Sequence, residues 1–377
     1  MKTIARLGIA TATIAATAAF VGFGAGAADA APARHPAPVG TVFVQNDATT
    51  GNQVVGYDRF ADGTLRQSGV FATGGKGVAL GGSVVDHLAS ESSLARAGRN
   101  VFAVNAGSDT ITSFAVRGDR LESRQVVGSG GDAPVSIAAH GDLVYVLNAR
   151  GGGSIQGYLD LGGRLVAVPG WHRDLGFNPN ATPEFTSTPA QIAFTPDGSK
   201  VVVSTKGDSS SFDVFPLGVR GPAATPVVST FAGDVPFGFQ FDATGQLIAS
   251  EAGPNAVASF TVHQNGAVTK DAEQATGQQA TCWIVVDGTR VYASNAGSGT
   301  LSGYTAGRTG ALTPIGTTAT DAGTTDAAVS ADGRYLYVQT GAAGIVDEYQ
   351  VAATGALHEI GSVTVPNGVG GEGIVAN

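Results

Sequence analysis

A single cysteine, Cys282, and a single methionine, the initiator, stand in 377 residues. One thiol can neither close an internal disulfide nor build a cysteine zinc site, so stability must come from burial and hydrogen bonding. Charge is scarce as well. Asp, Glu, Lys and Arg make up 14% of the chain, against about 25% in an ordinary soluble domain. With 43% hydrophobic residues, this excludes a disordered chain, which needs low hydrophobicity and high charge. Positive charge is the scarcer sign: without the first thirty residues, 19 basic face 29 acidic side chains, a net charge of about −10. That balance argues against binding nucleic acid or an anionic membrane. No second long apolar run follows the N-terminal one, so the mature chain is expected to be soluble.

Glycine is abundant, with 56 residues, about twice the usual share, and it lacks the triplet period of collagen. At the N-terminus, Lys2 and Arg6 precede an uncharged stretch from Leu7 to Gly26, followed by Ala28-Asp29-Ala30. Small residues at both positions read by a signal peptidase predict an export signal over 1–30 and a secreted protein. The stretch is mostly Ala, Gly and Thr, and no stop-transfer charge cluster flanks it, which disfavours a retained anchor. A Pro/Ala-rich leader, 31–40, then precedes one domain over 41–377.

Within that domain a repeat dominates. Val101-Phe102-Ala103-Val104-Asn105, Val144-Tyr145-Val146-Leu147-Asn148 and Val291-Tyr292-Ala293-Ser294-Asn295 share one template, and weaker copies end at Asn46, Thr205, Glu251 and Thr340. The seven copies are spaced by 59, 43, 57, 46, 44 and 45 residues. A period in the mid-forties with two insertions is the signature of a propeller, one blade per repeat. About ten residues after each copy a second run ends in an aromatic: Tyr57, Phe114, Tyr158, Phe215, Phe260, Tyr304 or Tyr349. Ahead of most copies stands an inner strand with a tight turn, such as Asp197-Gly198 or Asp332-Gly333, read as two-residue hairpins. The pattern predicts an all-β fold, a seven-bladed β-propeller of four-stranded antiparallel blades. The first copy lacks an inner strand, and the last residues, Gly371 to Asn377, look like an inner strand with nothing after it. The C-terminal strand is therefore expected to complete the first blade and close the ring, removing an unpaired edge.

The seven-fold pattern resembles the lactonase-like seven-bladed propellers, which include 6-phosphogluconolactonases and 3-carboxymuconate lactonising enzymes. Pro236-Phe237-Gly238-Phe239, Gln279-Ala280-Thr281-Cys282-Trp283 and the Asn-Ala-Gly-Ser runs at 105 and 295 look most like an exported bacterial branch. The resemblance implies lactone hydrolysis. At places comparable to the family's Pro-His and Pro-Arg-His motifs this chain has Pro134-Val135-Ser136 and Pro189-Ala190-Gln191. Those replacements, and export away from cytoplasmic sugar phosphates, point to an unphosphorylated lactone.

In an antiparallel meander the first strand of each blade starts, and the second ends, on one rim, where they converge around the channel mouth. That rim is expected to gather Glu91, Ser136, Gln191, Cys282, Trp283, Asp326 and Glu372 from strand starts. Strand ends add Asn46, Asp47, Asn105, Asn148, Arg150, Lys206, Glu251 and Asn295. The insertion after blade one would bring Asp86 and His87, and the later one Trp171, His172 and Arg173. Lactone hydrolysis needs a base for water, a positive group for the oxyanion and donors for the substrate. Glu251 is the preferred base, Lys206 the cation and His87 the alternative base, with Asn105, Asn148, Arg150, Gln191, Trp283 and Asn295 binding substrate. Each has a plainer reading, the recurring Asn as a turn cap above all. No cofactor is expected. A divalent cation held by Glu251, Asn148, Asn105 and Asp47 has suitable oxygen chemistry without diagnostic spacing. The alternative to a monomeric lactone hydrolase is a non-catalytic secreted propeller that binds a small ligand or a partner protein.

Overall fold

The seven template runs form the second strands of seven sheets in the computed structural model, which describes residues 36–377 apart from 208. The expected export signal and leader residues 31–35 lie outside the described residues. These second strands, such as Asn100–Asn105, Lys200–Thr205 and Tyr335–Thr340, are buried at every position or at all but the first. Each is covered by a neighbouring blade on both faces, so it reads as a continuous apolar run and not as an alternation. Outer strands such as Val268–Ala275 and Leu357–Thr364 have only partial cover and expose every second or third residue.

Six sheets have four antiparallel strands. In the fourth blade the outer position is divided between Gly221–Pro222 and Val227–Thr230, both paired with Ser211–Gly218. Closure occurs as expected: Ile374–Ala376 pairs antiparallel with Gly40–Gln45, Ile374 opposite Val44 and Ala376 opposite Val42. Thr41 N–H donates to Asn377 Oδ1 at 2.5 Å and fastens the last residue.

The recurring aromatics stitch blade to blade. Tyr57, Tyr158 and Tyr349 are buried, and each hydroxyl donates to a carbonyl at the outer-strand end of the preceding blade, Thr364, Gly128 and Ala319 respectively, at 2.6–2.9 Å. A buried phenol needs such a partner.

Two expectations are corrected. The Asp-Gly turns are not two-residue hairpins: Thr195 N–H donates to Lys200 C=O across four intervening residues, because Asp197 Oδ1 accepts from Thr195 Oγ1 and Ser199 N–H and favours the longer loop. Two-residue loops occur instead at Gly98-Arg99, Gly141-Asp142 and Gly288-Thr289, with the glycine at positive φ. Trp171, His172 and Arg173 do not reach the mouth. They extend the outer strand Leu165–Asp174, where Trp171 stacks on Tyr145.

Candidate functional site

The insertion after blade one, residues 79–93, is a plug. Its segment from Asp86 to Ser93 bonds to four different parts of the ring. His87 N–H donates to Gly370 C=O and Glu91 N–H to Ala190 C=O, while Ser90 Oγ donates to Val135 C=O at 2.8 Å. In return Trp283 Nε1–H donates to Ser90 C=O at 2.7 Å, and Ser93 N–H reaches the Glu372 carboxyl. Asp86 fixes the plug's own turn by accepting from Leu88 and Ser90 N–H at 2.7 and 2.8 Å. The rim where first strands start is thus occupied by the chain itself.

The axial channel survives on the other side of the plug as a cavity of about 420 Å³. Its walls are inner-strand residues such as Ile137, Ile192, Phe239 and Ala327, and it reaches the turns between first and second strands at His140, Pro196 and Phe241. Glu91, Asp326 and Gln191 lie at its closed end. Glu91 and Asp326 are both buried there. Asp326 accepts from Ala327 and Ile374 N–H at 2.7 and 3.1 Å. Glu91 Oε2 accepts from Ile284 N–H, whereas Oε1 has no protein donor. Gly238 permits this approach, since a Cβ there would lie 2.5 Å from Glu91 Oε2.

Burial, then the facing Asp326 carboxyl, pushes Glu91 well above the usual carboxylate range. Burial also raises Asp326, with the bonds from the Ala327 and Ile374 amides pulling the other way. Burial likewise pushes Asp47 up to about 8 and Asp86 up to about 7.

The residues singled out in the sequence go to separate places. Glu251 is fully buried, and its Oε1 lies 2.7 Å from Nζ of Lys270 on the outer strand of its own blade. Burial pulls Glu251 up to about 8 and Lys270 pulls it back. Burial lowers Lys270 too, but Asp234, Glu251 and Glu273 together outweigh it and hold it protonated. Among the described residues those three carboxylates are the group that converges closely enough to hold a metal, and the Lys270 ammonium already sits among them. Glu251 is thus engaged away from Lys206. Lys206 Nζ donates to Ala89 C=O in the plug, and burial lowers it to about 7. His87 packs its ring on Gly370, and burial lowers its pKa.

Asn105 donates to Thr112 Oγ1 at 2.9 Å, Asn148 to Ser154 Oγ at 3.2 Å and Asn295 to Ser302 Oγ at 3.0 Å. All three are buried and bind together the strands of their own blades. Of the residues considered for a cation, Glu251 is engaged by Lys270, and Asp47 accepts from Gln45 Nε2 and Glu372 N–H. Arg150 grips Glu184 at 2.6 and 3.1 Å, and Glu184 also accepts Gly81 N–H, so Glu184 ties the short helix Glu184–Ser187 to the third blade and to the plug. Gln191 lines the channel but spends both ends of its amide on Ser92 Oγ and Phe239 N–H. Glu91 and Asp326 were placed on the rim without a role. A usable signal was an acid inside an apolar inner strand, as in Asp326-Ala327-Ala328-Val329.

The family model described as Lactonase, 7-bladed beta-propeller matches residues 249–372, about a third of the chain. The chain is a lactonase-like seven-bladed propeller. No curated protein sequence matches this propeller. Among solved structures, a Lactobacillus plantarum protein is 20% identical with a TM-score of 0.72, covering 90% of this chain and 99% of its own. A Bacteroides fragilis protein, named provisionally as a 6-phosphogluconolactonase, is 18% identical with a TM-score of 0.71, over 90% and 98%. The periplasmic gluconolactonase of Pseudomonas aeruginosa is 17% identical with a TM-score of 0.71, over 89% and 98%. At these identities the likeness is one of fold, and propeller folds carry many activities. Among the described residues of the lactonase-like propeller no helix is long and apolar enough to cross a membrane.

Proposed function

We propose that this protein is an exported, monomeric lactone hydrolase that opens a small unphosphorylated lactone in the axial channel, with Asp326 as general base and Glu91 as general acid. The observation that carries this reading is the placement of two buried carboxyls, Glu91 and Asp326, at the closed end of a cavity sized for a small ring compound. Asp326 takes a proton from water as the water oxygen bonds to the lactone carbonyl carbon. When the ring C–O bond breaks, Glu91 gives its proton to the departing ring oxygen, and a hydroxy acid is released. Arg96 Nη1, buried in the channel wall without a partner, offers a donor to substrate oxygens. The scheme draws only on the chain's own side chains, and the gluconolactonase among the structural neighbours supports the choice of reaction class.

A non-catalytic binding propeller is the second reading, favoured by the capture of Asn105, Asn148, Arg150 and Asn295 in structural bonds. A hydrolysis screen of the mature protein on aldonolactones, γ-butyrolactones and acyl lactones, followed by proton release with and without chelator, separates the two. Turnover lost in Asp326→Asn and Glu91→Gln supports the hydrolase. No turnover on any lactone leaves the binding reading.

A further inference from the structure

On the opposite side of the plug from the Glu91–Asp326 pair lies a second cavity, of about 300 Å³. Its lining is almost wholly apolar: Val84 and Val85 from the plug, Phe185 from the short helix, and Phe237, Trp283 and Ala296 from the fifth and sixth blades. Phe237 and Trp283 pack edge to face at 5.2 Å and form a rigid back wall. The polar groups near this wall are already satisfied. Trp283 Nε1–H is spent on Ser90 C=O, the Asp86 carboxyl on Leu88 and Ser90 N–H, and the Lys206 ammonium on Ala89 C=O. Ser83 Oγ is the exception: it lines the cavity, is buried and has no partner. Val84, 84% exposed, stands at the opening.

We propose that this cavity is a binding site for a small apolar molecule with one neutral polar end, such as a medium-chain alcohol or a phenol. Walls without free charge exclude a polar or ionic ligand, whose lost hydration nothing here would replace. The single unpartnered hydroxyl of Ser83 matches one neutral donor or acceptor. At about 30 Å³ per water-sized group the space holds roughly ten such groups. The site stands whether or not the channel hydrolyses lactones.

The test uses the mature protein and a series of n-alkanols from butanol to dodecanol, competing against the neutral dye N-phenyl-1-naphthylamine, whose fluorescence rises in apolar sites. The expected result is saturable one-to-one binding that tightens about fourfold per methylene and levels off near eight to ten carbons, roughly the cavity's capacity. Val85→Asp should weaken octanol binding at least tenfold. Val84→Asp, at an exposed position that tolerates charge without unfolding, should weaken it by a smaller factor. Ser83→Ala should lower the preference for octanol over octane. Absence of saturable binding, affinity that climbs with length without levelling, or affinity unchanged in both aspartate variants would overturn the proposal. So would a dimer in sedimentation velocity that Val84→Asp dissociates, since a second copy would then cover the opening. Neither readout involves turnover, so failure here is distinguishable from failure of the hydrolase reading.

Discussion

The two sides of the plug differ in almost every physical respect. The channel side ends in two carboxyls, Glu91 and Asp326, lining a cavity of about 420 Å³. The rim side has a smaller apolar cavity whose neighbouring polar groups, Ser83 apart, are tied to the backbone. One fifteen-residue segment makes both, sending Glu91 into the channel and Val84, Val85 and Ala89 to the rim. An insertion that interrupts a repeat can thus close one rim of a propeller and leave two chemically distinct cavities on its two sides.

Four experiments sharpen or break this contrast. The largest effect is expected from Asp326→Asn, which should lower kcat on any accepted lactone by roughly 10²–10⁴-fold, the usual contribution of a general base, and leave dye binding at the rim unchanged. Steady-state kinetics beside the dye titration checks this. Loss of both together would mean that the plug itself had moved.

Next comes pH. Asp47 and Asp86 bind their protons more tightly folded than unfolded, with folded values of about 8 and 7. Their stabilising contribution is full below the unfolded value near 4 and is lost as pH rises toward 7–8. Each titrating carboxyl contributes a slope of about 1.4 kcal/mol per pH unit. Urea unfolding between pH 4 and 7 should therefore show falling stability, and Asp47→Asn should flatten the slope. Lys206, lowered to about 7, acts in the opposite sense above that pH, so the test belongs below it.

Trp283→Phe removes the donor to Ser90 C=O and leaves a buried carbonyl unpaired, which should cost about 1–3 kcal/mol in urea unfolding. The rim cavity should be affected more than the channel. Smallest is Glu251→Gln: with Lys270 still held by Asp234 and Glu273, turnover should stay within about twofold, because this carboxylate does not face the channel. A large loss of turnover would return Glu251 to the role its position in the repeat suggested.

Nearly all of the fold was legible in the chain, from the spacing of the copies to the closing strand, because a propeller blade is built from contacts between near neighbours in sequence. The site was legible in part. The repeat puts Glu91, Asp326 and Gln191 at strand starts and Glu251 and Lys206 at strand ends, all on one rim. Strand geometry sends successive side chains to opposite faces, so a position at the rim does not say whether a carboxylate meets the channel or, like Glu251, the outer strand of its own blade. The repeat alone determined seven blades, their order and their closure. The path of residues 79–93 across the ring, and with it the placement of Glu91 with Asp326 at the channel's closed end, was decided only in three dimensions, because that segment follows no repeat and takes its conformation from hydrogen bonds to blades far away in the sequence.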